Sequence, residues 1–326
     1  MATKYWMISD RNIEQNRLGA DRADLSYWVS EGGPLDQLGN WKQTKSEQFK
    51  RLLASSSQRF PLILDMERHE EQKHVTLFIH GYNNDWGDAA RMYESLCGKL
   101  FEGDETLGIC LLFSWPSDGM MFGYYPDRID ARRCAADLAE ILGAFYDWLV
   151  IKQVEGAEDA KKACRAKISV ICHSMGNYLL QKGMQLAWTR KNQPMLVSLV
   201  NQLLMVAADV DNDLFKSGES VQQSDGDAIA NLTYRITALF TGRDNVLGLS
   251  AGMKHFGKRR LGRSGLDLTS AFPDNVWQVD CSSLFSPEQD NIHSAYFEEQ
   301  KTIKLMREVL RGVDRGVLIA QGLAPA

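Results

Sequence analysis

Residues 168–177 read Ile-Ser-Val-Ile-Cys-His-Ser-Met-Gly-Asn. A short, β-branched run enters a small-x-Ser-x-Gly sequence, and helical spacing follows from Gly176 to about Trp188. A serine between strand and helix needs a very sharp turn that lifts its hydroxyl clear of the sheet's carboxyl edge. The positions two before and two after it, Cys172 and Gly176, must be small, because the two backbones nearly touch there. The N–H of Met175 then points to the same spot from a helix N-terminus, where negative charge is favoured. Ser174 is therefore the candidate nucleophile. The plainer alternative is a serine that only caps its helix.

Outward from this stretch, strand-length apolar runs alternate with helical periods. Strands are expected at Val75–Ile79, Ile109–Phe113, Leu203–Val206, Tyr234–Phe240 and Val276–Val279. Helices are expected over Asp88–Leu100, Ile129–Ile151 and His293–Leu310. Near-continuous apolar strands between amphipathic helices describe an α/β class: a mostly parallel sheet covered on both faces. Residues 1–73 read as an N-terminal extension packed on that sheet, with strands at Tyr5–Ile8 and Tyr27–Val29 and a charged helix over Lys45–Ala54. Residues 74–326 form the remainder of one structural domain. The polar segments 211–231 and 282–292 exceed ordinary connection lengths, as lids and site walls often do.

The first core strand ends in His80-Gly81-Tyr82-Asn83. Glycine there lets the loop approach the serine and supply a second N–H, that of Tyr82, so two donors and a nucleophile converge as in acyl transfer. The order Phe-Ile-His-Gly-Tyr-Asn-Asn (78–84), Phe-Ser-Trp-Pro-Ser (113–117), the serine motif, Ala-Ala-Asp-Val-Asp-Asn-Asp (207–213), Phe-Thr-Gly-Arg-Asp (240–244) and His-Ser-Ala-Tyr-Phe (293–297) resembles the α/β-hydrolase-fold serine hydrolases. Within them it resembles the largely uncharacterised bacterial group labelled DUF900, over about residues 74–312. One departure is Cys172, where glycine is usual; slight crowding of the turn is expected, not its loss.

Six histidines compete for the role of base. His80 shapes its loop, His173 should point away from the serine hydroxyl, and His69 and His74 flank the amino side of the first core strand. His255 and His293 remain. The fold's chain order, nucleophile then acid then histidine after the last strand, favours His293. Asp244, Asp209, Asp211 and Asp213 all follow strands and compete as the acid; the resemblance places Asp244 on the family's acid position. It thus implies a Ser174–Asp244–His293 triad with the Met175 and Tyr82 N–H groups as oxyanion donors, supported by His80, Gly81 and Gly176. Plainer roles are an Asp244–Arg243 ion pair and a His293 that caps its own helix.

Other motifs read as bland. His69 and His74 are five apart, unlike the i, i+4 pair of a zinc helix, and Asp209-Val-Asp-Asn-Asp213 lacks the glycine and glutamate of a calcium loop. No metal or organic cofactor is expected. Lys254, Lys258, Arg259, Arg260 and Arg263 are either a solvated stretch or a contact for an anionic group. Tyr82, Trp86, Trp115, Phe122, Tyr124 and Tyr125 are either core or the lining of an acyl pocket.

Composition bounds the rest. With 326 residues, 44% hydrophobic and 24% charged, collagen-like and wholly disordered readings are out. A formal charge of −5 argues against a general nucleic-acid binder. Six scattered cysteines without CxxC spacing, no signal-peptide core at the start and no membrane-length apolar run lead to the expectation of a cytoplasmic protein with reduced thiols. The implied partner is a small-molecule or lipid acyl substrate. The expected reaction is ester or thioester hydrolysis, with a lipase or phospholipase, or a non-catalytic binding protein on the same fold, as alternatives. Oligomeric state is not legible.

Overall fold

The computed structural model describes residues 4–63, 70–117, 124–191, 198–216, 226–254 and 257–325. Nine strands form one sheet: β1 (Tyr5–Glu14), β2 (Arg17–Ser30), β3 (Lys42–Thr44), β4 (His74–Ile79), β5 (Gly108–Ser114), β6 (Lys167–His173), β7 (Val200–Val206), β8 (Thr233–Phe240) and β9 (Val276–Asp280). Their spatial order is β3-β2-β1-β5-β4-β6-β7-β8-β9. From β1 through β9 every neighbouring pair is parallel; only β1–β2 and β2–β3 are antiparallel.

The larger helices are α1 (Ser46–Ser57), α2 (Trp86–Leu96), α3 (Tyr124–Glu158), α4 (Gly176–Lys191) and α5 (Asp227–Leu232), followed by α6 (Asn245–Leu249), α7 (Leu261–Ser264), α8 (Ile292–Ala295), α9 (Gln300–Arg311) and α10 (Arg315–Ala320). Helices α1, α3, α4 and α5 contribute to one apolar cluster, and α2, α9 and α10 to another, so both faces of the sheet are covered. That is why β4 lacks period-two alternation: all six of its residues are buried. Each fully buried Leu or Ile in such a strand contributes roughly 1.5–3 kcal/mol.

The fold class expected from the sequence is the one found. The helix expected at residues 129–151 is longer, running from Tyr124 to Glu158, because the buried stripe that starts at Tyr124 packs against α4. The single helix expected at residues 293–310 is broken into α8 and α9, with Glu299 capping the second piece through Lys301 N–H. At the other end, β1 and β2 exceed the short strands expected there, and β1 joins the core sheet by parallel pairing with β5. Among the described residues no helix is long and apolar enough to cross a membrane.

Candidate active site

Every core strand delivers its carboxyl end to one edge, and the candidate residues collect there. Strand β6 ends at His173, and Ser174 follows with φ +51°, a left-handed conformation that costs a non-glycine residue roughly 1–3 kcal/mol. The surroundings hold it there. Ser174 N–H donates to Val206 O at 3.0 Å, and Ser174 O accepts from Asp209 N–H and Asn177 N–H, each at 3.1 Å. The Asn177 side-chain amide bonds both Cys172 O and Ser174 O at 3.1 Å. The turn forms with Cys172 fully buried at the first small position.

Two glycines permit the close approach. A Cβ on Gly81 would lie 2.7 Å from Ser174 Cβ, and one on Gly176 would lie 2.6 Å from His80 O. Both distances are shorter than any tolerable contact, so neither position accepts a side chain without moving backbone. Helix α4 begins at Gly176, two residues beyond the serine. Among the described residues the Met175 N–H has no protein acceptor, and Met175 itself is buried beside the turn.

The loop opposite, residues 80–84, is braced by side chains that are all buried. Trp115 N–H donates to His80 Nε2 at 3.2 Å, so His80 Nδ1–H donates to Gly81 O at 2.9 Å. Burial, reinforced by nearby Arg11, pushes the His80 imidazole down to about 3, so it is neutral. The Asn84 amide bonds back to Gly81 O at 3.0 Å and Tyr82 O at 2.9 Å. Arg11, within β1 and 2% exposed, donates to Asn84 O at 3.1 Å, Ser117 O at 3.3 Å, Ser114 Oγ at 3.0 Å and Gly19 O at 3.0 Å. Burial lowers its guanidinium to about 10, still charged at neutral pH. Ser117 accepts from Asn84 N–H at 3.3 Å and donates to buried Asp127 at 2.5 Å. Sequence reading missed Arg11, Asn84 and Asp127; only the polar residues within an apolar β1 signalled anything.

The acid and base candidates meet. Asp244 follows β8, caps α6 by accepting Leu247 N–H on Oδ1 at 2.9 Å, and places Oδ2 2.7 Å from His293 Nδ1. Asp244 is fully buried and the His293 side chain is 11% exposed. A carboxylate only accepts, so His293 Nδ1 carries the proton and Nε2 is the free basic nitrogen. Asp209 instead holds Arg260, Tyr124 and Ser250, and Asp211 holds Arg260 and Lys258. Among the described residues Asp244 is the one of the four carboxylates within hydrogen-bond distance of a histidine. Arg243 turns away to Ser286 O and Pro287 O, so the simple Asp244–Arg243 pair is not formed.

His173 links the candidate base to the candidate nucleophile. Its Nε2 lies 2.9 Å from His293 O and its ring centroid 4.9 Å from that of His293. Burial first, then the neighbouring His293, pushes its imidazole down to about 3. No hydrogen bond joins Ser174 Oγ to His293 among the described residues; such contacts are often long before substrate binds and tighten afterwards.

His69, His255 and Phe122 lie outside the described residues, as does the stretch 217–225 of the polar segment 211–231. His74 sits at the opposite edge of the sheet and bonds Ser169 Oγ at 2.7 Å. Trp86 and Trp115 are core, whereas Tyr125 is exposed. The basic stretch does not act as one surface. Arg260 is fully buried on Asp209 and Asp211, and Arg263 donates to Asp244 O.

Similar folds appear among solved structures. A Pyrobaculum calidifontis esterase is 12% identical with a TM-score of 0.37, covering 74% of this chain and 76% of its own. A putative cell surface hydrolase from Lactobacillus plantarum is 10% identical with a TM-score of 0.34, covering 77% and 96%. Phospholipase PlaB from Legionella pneumophila is 14% identical with a TM-score of 0.37, covering 76% and 63%. A comparison with curated proteins gives no match. The family described as alpha/beta hydrolase of unknown function (DUF900) matches residues 58–311, and the chain belongs to it.

Proposed function

We propose that this chain is a serine hydrolase that cleaves a carboxylic ester or thioester through an acyl-enzyme. Ser174 Oγ attacks the acyl carbon while His293 Nε2 takes its proton. The carbonyl oxygen becomes an oxyanion held by the Met175 and Tyr82 N–H groups. The bond to the leaving group breaks, and His293 returns the proton to it. Water then repeats the sequence: His293 takes its proton, hydroxide releases the acid, and Ser174 is regenerated. Asp244 keeps the imidazole in the required tautomer and stabilises its charged form.

The observation that carries this reading is the 2.7 Å Asp244–His293 bond, at the same sheet edge as a serine in a left-handed turn. A fluorophosphonate probe tests it. Wild type is expected to label stoichiometrically and Ser174→Ala not at all. Equal labelling of both would remove Ser174 from the mechanism. No labelling of folded wild type, together with no turnover of short or long p-nitrophenyl esters, would favour a binding protein on this fold.

A further inference from the structure

Beside helix α4 lies a cavity of about 390 Å³, between the start of α3 and the segments after β7 and α6. Tyr178, which is 3% exposed and stands one turn beyond Ser174, lines it. Three cations surround that one ring. The Arg128 guanidinium stacks 3.6 Å from its centroid, with Arg132 at 5.6 Å and Lys182 at 5.7 Å. Arg132 also donates to the Tyr178 hydroxyl.

Like charges gathered this closely repel, and the π-face of one tyrosine offsets only part of that repulsion. Among the described residues no carboxylate lies within ion-pair distance of Arg128, Arg132 or Lys182. Lys216 and Lys258 also line the cavity, so five cations face two carboxylates, Asp211 and Asp213. Asp211 is already engaged by buried Arg260 and by Lys258. This local surplus stands in a chain whose formal charge is −5.

We propose that this cavity binds a phosphate-bearing group. A single carboxylate would leave most of the surplus unneutralised. A phosphate carries more charge, and its oxygens can accept from several directions at once, matching two arginine forks and a lysine. The volume falls within the range of small-ligand sites and exceeds what a lone carboxylate fills. Two side-chain contacts link the cavity lining to the loop at residues 80–84. Arg128 reaches the Tyr124 hydroxyl at 3.5 Å, and the Tyr124 ring packs edge-on against Tyr82 at 5.5 Å.

The test does not depend on the hydrolase reading, because it measures binding to the full chain carrying Ser174→Ala. Calorimetric titration with inorganic pyrophosphate is expected to show saturable binding that weakens between about 50 and 200 mM salt. Lys182→Gln and Arg132→Gln, each checked for an unchanged melting temperature, are expected to weaken it about tenfold or more. Lys50→Gln, which removes an exposed cation from α1, controls for net charge and is expected to leave binding unchanged. Short-chain soluble phosphatidic acid that displaces pyrophosphate would identify a lipid headgroup as the source; failure to displace it would identify free phosphate or pyrophosphate. No saturable binding at about 10 mM pyrophosphate, equal weakening by Lys50→Gln, or displacement by acetate at equal concentration would overturn the proposal.

Discussion

Asp244 has two oxygens and two tasks. One accepts Leu247 N–H and thereby starts α6; the other accepts His293 Nδ1–H. Asp244→Asn keeps the cap oxygen but can present an N–H to the histidine, which favours the wrong tautomer. Ester turnover is expected to fall by about 10⁴-fold with little change in folding, read as kcat together with a circular dichroism melt. A loss below about tenfold would move the acid role elsewhere. Sequence order pointed to this pair, but spacing could not separate Asp244 from Asp209, Asp211 and Asp213. Asp209 is instead engaged by a partner 51 residues away in sequence, Arg260, which folding buries against it. His173 shows the same limit. Its neighbour relation to Ser174 is evident from the chain, whereas its bond to His293 O spans 120 residues.

At the scale of elements, the glycine loop depends on a strand outside the part of the chain that carries the motifs. β1 lies against β5 and continues past the short run expected from its apolar residues, with register shifts between Ser9 and Arg11 and between Arg11 and Ile13. That irregularity brings Arg11 beneath the loop, where one guanidinium satisfies carbonyls from three segments. Arg11→Met strands those buried acceptors and removes the brace on Asn84. It is expected to cost about 2–4 kcal/mol of stability, measured by urea denaturation. Because the donors at the loop should act on the transition state, kcat is expected to fall by about 10–100-fold with KM nearly constant. A rise in KM at unchanged kcat would mean that Arg11 shapes the substrate pocket instead. Residues 1–14 signal this only through polar residues inside an apolar run, since a buried arginine reads as a surface charge until its acceptors are known.

Across the whole molecule, three buried groups shape the response to pH. Burial, followed by Arg11 for His80 and by His293 for His173, lowers both imidazoles from 6.5 to about 3, while burial raises Asp10 from 3.8 to about 7. The histidines' contribution to stability is fully present above 6.5 and is lost as pH falls toward 3. Asp10's contribution is fully present below 3.8 and is lost as pH rises through about 7. On unfolding around pH 5 each histidine takes up a proton and Asp10 releases one, a net uptake of about one. Asp10→Asn is expected to raise proton uptake by about one and His173→Gln to lower it by about one, read from the pH slope of the unfolding free energy. Identical slopes in all three proteins would show that these groups titrate alike in both states. The sequence by itself determined the alternation of buried strands and amphipathic helices, and with it the parallel sheet and the placing of Ser174 at a strand-to-helix turn. These follow from local periodicity and from the smallness that a tight turn requires. Only the tertiary structure decided which carboxylate meets His293, which arginine braces the loop and where unpaired positive charge collects. Those are contacts between segments far apart in the chain, and burial sets their strength only once the sheet has brought them together.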